Sequence, residues 1–179
     1  KGTIWQFAPE YEGQNTAEAK AYIFRAGPPL SAALSNSLLN SFTSVDQRKS
    51  IWTGAVINGA ESWHHAYKYK NDTDSGSTTE YYIVFRRAEQ YLIRAEARAH
   101  QGDLIGAKED LDKIRKRAGL PLTNAQSELE IIDEIMEQRK LEFFTEYGHR
   151  FFDLKRTGKI DVALKNKAGW NSYASLWPI

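Results

Sequence analysis

Apolar positions follow two regimes along this chain, and the change falls near Phe85. Beyond it, Ala88, Leu92, Ala95 and Ala99 recur every third or fourth residue with Tyr91 beside them, which predicts a helix with one buried face. Gly102-Asp103 breaks that helix: glycine supplies the turn, and aspartate is a good N-cap for the next helix. A second stripe then runs through Leu104, Ala107, Leu111, Ile114 and Ala118. Lys113, Arg115, Lys116 and Arg117 crowd its last turns, where cations complement the helix dipole, and Gly119 and Pro121 end it. Two such helices with small residues at their crossing predict an antiparallel hairpin. A third helix opens on a capping box, Ser127 with Glu130, and carries Leu129, Ile132, Ile135, Met136, Arg139, Phe143 and Phe144. Gly148 breaks it, and His149 to Arg156 reads as a short amphipathic turn.

Before Phe85 the pattern is irregular and aromatic. Leu30, Ala33, Leu34, Leu38, Leu39 and Phe42 keep helical spacing behind Pro28-Pro29, a place where proline suits a helix start. Ala55-Val56-Ile57 is a strand or a loop, and Ala66-Tyr67-Lys68-Tyr69-Lys70 alternates as a half-exposed strand would. Asn71 to Thr79 is small and polar, a hairpin tip, and Tyr81 to Phe85 is a second strand or the lead-in to the next helix. After Gly158 no period remains; Trp170, Tyr173 and Trp177 are scattered aromatics. The expected architecture is mainly α, with an irregular segment 1–84, a helical scaffold 85–158 and a tail 159–179.

A length of 179 residues suits one domain, able to bury a core without staples. With no cysteine, disulfides, thiolate zinc sites and thiol catalysis are excluded. Lys+Arg (24) nearly balance Asp+Glu (23), which argues against a nucleic-acid partner. No apolar run approaches the roughly 18 residues of a membrane helix. The chain opens Lys1-Gly2-Thr3-Ile4-Trp5, with neither Met nor a secretory leader, so it is expected to be a processed or excised piece.

Candidate chemistry is sparse. His64 and His65 are adjacent and lack metal-ligand spacing. A calcium loop begun at Asn71 would place Gly76 sixth as required, yet its twelfth position is Tyr82 rather than Glu. Neither a phosphate-binding glycine loop nor a nucleophile elbow is present. Glu130, Asp133, Glu134, Glu137, Glu142 and Glu146 lie along the third helix and its end, where a solvated face or pairing with Arg139 and Lys140 explains them better than a catalytic pair. No metal, cofactor or catalytic residue is expected. The aromatics are more telling. Trp52, Trp63, Tyr67 and Tyr69, with Trp5, fall in polar, irregular segments. Flat rings in such places suit sugar C–H faces while nearby polar groups take the hydroxyls, so Trp52, Trp63, Tyr67 and Tyr69 are the candidate ligand-binding residues.

The hairpin resembles a tetratricopeptide unit, with Ala95, Gly102-Asp103, Ala107 and Leu111 in the characteristic places. A more specific likeness spans Phe85 to Gly158. Phe85-Arg86-Arg87-Ala88-Glu89-Gln90-Tyr91-Leu92-Ile93-Arg94-Ala95-Glu96-Ala97, then Arg115-Lys116-Arg117-Ala118-Gly119-Leu120, then Glu137, Arg139, Glu142 and Phe143 leading into Gly148-His149-Arg150-Phe151-Phe152-Asp153-Leu154-Lys155-Arg156, occur in one order. Asp46-x-Arg48, Lys68-Tyr69 and Leu176-Trp177-Pro178-Ile179 add shorter matches. Together these motifs resemble the SusD/RagB family of Bacteroidetes outer-membrane glycan-binding lipoproteins. The resemblance implies a helical fold with tetratricopeptide-like units, non-catalytic capture of glycan at the cell surface, and closure over a SusC-like TonB-dependent transporter. It implies a membrane link only through a lipid anchor on an upstream part, and it makes this chain a C-terminal portion of such a protein. Within it, Arg150 and Asp153, with Glu142 or Glu146, look like scaffold clamps. The alternative is a tetratricopeptide-type module that binds a peptide.

Overall fold

The structure is a computed structural model and describes residues 2–172 and 174. In chain order it runs β1 (Thr3–Phe7), α1 (Ala17–Tyr22), α2 (Asn36–Ser41), α3 (Gln47–Trp52), β2 (Thr53–Asn58), β3 (Glu61–Ala66) and β4 (Tyr82–Arg86). Five helices come next: α4 (Arg87–His100), α5 (Leu104–Arg117), α6 (Glu128–Glu142), α7 (His149–Arg156) and α8 (Ile160–Leu164). The fold is mainly α, as the periodicity predicts.

The core sits where three helices meet. Ala88, Leu92, Ala95 and Ala99 of α4 are buried together with Ala107, Leu111 and Ile114 of α5, and α6 lies across both with Ile131, Ile135 and Met136. Alanines at the crossing let the two backbones approach closely, which larger side chains would prevent. Gly102 turns the chain at φ 80°, and the Asp103 carboxylate accepts from the Gly106 amide at 2.9 Å. Asp110 on α5 is wholly buried; Arg94 (2.6 and 2.8 Å) and Arg98 (2.9 Å) of α4 donate to it and tie the hairpin across its polar side. On α6 the capping box forms in both directions, Ser127 to the Glu130 amide and Glu130 back to the Ser127 amide.

The first half departs from its sequence pattern in three places. The stripe beginning at Leu30 does not make one long helix. Only Asn36–Ser41 is helical, because the Ser35 hydroxyl caps the Leu38 amide (3.2 Å) and Ser35 itself is extended. Leu30 is fully exposed, whereas Leu34, Leu38 and Phe42 pack inward with Leu141 and Phe144. The alternation at 66–70 is not a strand either: β3 ends at Ala66, and the residues after it bend inward. The strand there is built from earlier residues, in a hairpin that pairs Thr53 with Ala66 and Asn58 with Glu61 across Gly59 (φ 61°). Finally, Tyr82–Arg86 is a strand, but its antiparallel partner is β1, from the start of the chain, with bulges on either side of Trp5.

Asn71 to Thr79 is a loop, pinned by ion pairs and hydrogen bonds to the first helix and its flanks. Arg25 holds Asp72 at 2.6 Å, Lys20 holds Asp74 at 2.8 Å, and the Asn15 amide donates to Asp74 at 3.1 Å. Among the described residues no group of His, Asp or Glu is placed to hold a metal ion. Tyr173 and the run Leu176 to Ile179 lie outside the described residues.

Candidate functional site

Helix α6 ends at Glu142, just before the aromatic pair that the periodicity extends it through. Its last carbonyls would be orphaned inside the protein, and two cations from the first half reach them. Lys68 Nζ donates to the carbonyls of Glu142 (2.7 Å) and Phe144 (2.9 Å) and pairs with the Glu146 carboxylate. Arg86 donates to the Glu142 carbonyl at 2.8 Å, to its carboxylate at 2.6 Å, and to Glu146 at 3.1 Å. Glu142 is not part of a solvated face: it is completely buried, and Arg117 (2.5 Å) and Arg48 (3.5 Å) close around its other oxygen. Burial alone would raise this carboxyl; Arg86 and Arg117 beside it outweigh that and hold it below its ordinary range. Burial lowers the Lys68 ammonium to about 8, with Glu146 opposing and Arg86 adding to the shift.

The turn after α6 is strained. Thr145 and Tyr147 stand at φ 61° and 42°, a region that side chains avoid and that costs about 1–3 kcal/mol per residue. Three bonds impose it: Lys68 on the Phe144 carbonyl, the Thr145 hydroxyl on the same carbonyl (2.7 Å), and the Tyr147 hydroxyl donating to the Ile83 carbonyl at 2.9 Å. The turn forms one wall of a cavity of about 180 Å³, whose other walls are Glu18, Ala19 and Tyr22 of α1, then Ala66, Lys68 and Tyr69, and Ile83 of β4. A neighbouring hollow of about 120 Å³, lined by Trp52 and Arg86, shares Lys68, Tyr69, Ile83 and Glu146 with it. The Tyr69 hydroxyl accepts from the Ile83 amide at 3.0 Å, so Ile83 anchors both phenols. Burial, aided by Glu18 nearby, pushes the Tyr69 phenol up to about 12 despite the Ile83 bond. The Glu18 Oε2 atom is buried and has no hydrogen-bond partner among the described residues.

The four residues singled out from sequence divide two and two. Trp52 and Tyr69 border this pair of hollows. The Trp52 ring faces Lys68, Arg86 and Arg117 at 5.0, 5.7 and 5.9 Å and backs onto Phe42, Leu141 and Phe144. Tyr67 turns away, its ring edge-on to His65 at 5.5 Å and under the Lys70 ammonium at 3.9 Å. Trp63, on β3, packs against Gly27, where even a methyl group would collide with the indole. Trp5 is half exposed on β1, 5.7 Å from Phe85. The clamp read in the last motif also has other partners: Arg150 is exposed, and Asp153 takes Arg139 (2.7 Å) and Arg156 (2.9 Å). Sequence reasoning missed Glu18, Tyr22 and Tyr147 as lining residues. The first two lie on a six-residue helix too short to show a period, and Tyr147 sits inside a motif that reads as scaffold.

A model of the SusD family matches residues 40–176. The chain belongs to the SusD family. A SusD-like protein of Formosa agariphila is 31% identical, over 54% of this chain and 21% of that protein. Surface glycan-binding protein A of Bacteroides thetaiotaomicron superposes with a TM-score of 0.73 at 19% identity, over 97% of this chain and 47% of that one. A SusD-like carbohydrate-binding protein of Bacteroides vulgatus gives 0.69 at 22% identity, over 87% and 34%. At these identities the structural likeness speaks for fold. The chain spans about a fifth of the curated relative and less than half of either structural neighbour. No helix among the described residues is long and apolar enough to cross a membrane.

Proposed function

We propose that this SusD-family chain binds oligosaccharide without cleaving it and that the cavity beside Tyr69 receives a sugar unit. One observation carries the placement: Tyr22, Tyr69 and Tyr147 line a preformed hollow together with a carboxylate that has spare acceptor capacity. Rings take the C–H faces of a pyranose, and a carboxylate takes its hydroxyls. The strained turn holds the hollow open before ligand arrives, which cuts the ordering cost of binding. Membership of the family, and neighbours whose names describe glycan or carbohydrate binding, support the ligand class. On the same footing, the protein containing this chain would work at the outer-membrane surface, lipid-anchored, with a SusC-like transporter as partner.

Affinity gel electrophoresis over a panel of neutral polysaccharides tests the reading. The wild-type chain should be retarded by at least one, and Tyr69→Ala and Trp52→Ala should each lose most of that retardation. Trp63→Ala and Tyr67→Ala, run alongside, test whether the ligand face extends to the hairpin. Full retention by both cleft variants would overturn the placement. Co-purification of the natural protein with a TonB-dependent transporter tests the partnership.

A further inference from the structure

The cavity is polar, but its polar groups are not equally free. A lysine ammonium has three donors, and those of Lys68 are spent on Glu142, Phe144 and Glu146. Glu146 is matched in turn, one oxygen by Lys68 and Arg86 and the other by Arg86. The Thr145 and Tyr147 hydroxyls donate to backbone carbonyls. The Tyr69 hydroxyl accepts from the Ile83 amide and keeps its own proton to give. The acidic group that remains is Glu18. Its Oε2 is buried and without a hydrogen-bond partner among the described residues, while the nearby cations Lys68 and Arg86 pair with Glu146 instead. The hollow therefore presents one carboxylate oxygen without a partner among the described residues, beside the rings of Tyr22, Tyr69 and Tyr147.

An acceptor-only carboxylate next to aromatic faces is matched best by a group that brings both a positive charge and several N–H donors. A protonated amine does so, through a charge-assisted hydrogen bond to the carboxylate and cation–π attraction to the rings. A neutral hydroxyl supplies a weaker bond, and a sugar carboxylate would face a like charge. We infer that the cavity selects a sugar unit carrying a free, protonated amino group, a hexosamine that is not acetylated. This rests on the glycan reading of the cleft and narrows it.

Isothermal titration calorimetry of the 179-residue chain tests the inference, at a pH of about 6, where a carboxylate and an amine are both charged. The probes are a β-1,4-linked glucosamine oligomer, its N-acetylated counterpart, the glucose oligomer of the same linkage, and propylammonium as a cation that is not a sugar. The glucosamine oligomer should bind about ten-fold tighter than the other two sugars. Glu18→Gln should remove that preference, bringing the glucosamine oligomer to the affinity of the other two sugars. Glu18→Asp, which keeps the charge but withdraws it, should retain part of the preference and serves as the second variant if Gln disturbs folding. Equal affinity for all three oligomers, with Tyr69→Ala weakening each, would overturn the amine preference and leave the glycan cleft standing. Propylammonium binding that Glu18→Gln abolishes, with no oligomer bound, would overturn the glycan reading instead. Failure of every probe to bind overturns both.

Discussion

Glu142 and Lys68 show how much of this protein's stability hangs on single charges taken out of water. Glu142 has none of its surface exposed and depends on Arg86, Arg117 and Arg48. Glu142→Gln keeps the shape but leaves those guanidinium groups short of a counter-charge, and should cost about 3–5 kcal/mol in urea unfolding. Because the folded carboxyl titrates below its ordinary 4.5, its contribution is complete above that value and fades as pH falls through the lower, folded one. Lys68 works in the opposite sense. Burial brings it to about 8 from 10.5, so between those values the unfolded chain holds the proton more often than the folded chain. Stability should therefore climb as pH rises from about 8. Tyr69, pushed from 10.0 to about 12, sheds its proton first when unfolded, and stability should fall again above pH 10.0. Urea midpoints measured between about pH 7 and 11 should show the rise, and Lys68→Met should flatten it. A midpoint in Lys68→Met that still climbs over this range would assign the effect to another group.

At the scale of elements, legibility follows how local the determinants are. The helices α4, α5 and α6 are visible in sequence because their caps and stripes lie within the elements themselves: Asp103, Ser127 with Glu130, and alanines at regular spacing. The elements of the first half are short, five or six residues each, too short to show a period, and β1 and β4 depend on each other across about 75 residues of chain. Strand β1 gains its ladder only from β4, and the Leu30 stripe misleads because Ser35, not proline, fixes where that helix begins. The α4–α5 crossing makes the helical part testable. Ala95 has no exposed surface and lies where the hairpin backbones come together. Ala95→Leu should destabilise by about 1–3 kcal/mol through overpacking. Ile105, on the next helix but 77% exposed, is the control: Ile105→Ala should stay within about 0.5 kcal/mol of wild type.

For the molecule as a whole, the cleft is the place where distant stretches of chain meet. Its walls come from α1, from the segment after β3, from β4 and from the turn after α6. That is why the sequence could point to Trp52 and Tyr69 by their irregular surroundings yet not to Glu18, Tyr22 or Tyr147. Nothing local marks those three; only the closure of the Lys68 and Arg86 bonds onto the end of α6 brings them together. The same construction couples binding to global stability. A ligand lodged between these walls can bind only when all of them are assembled, so it acts on the folded state as a unit. At a free ligand concentration about 100 times the dissociation constant it should add about 2.7 kcal/mol. For a chain of this size that corresponds to a rise in melting temperature of roughly 5–10 °C. Ile105→Ala should show the full rise, being remote from the cleft, and Tyr69→Ala should show almost none at the same concentration. A full rise in Tyr69→Ala would move the ligand out of this cleft, because no binding elsewhere on the surface needs that phenol in place.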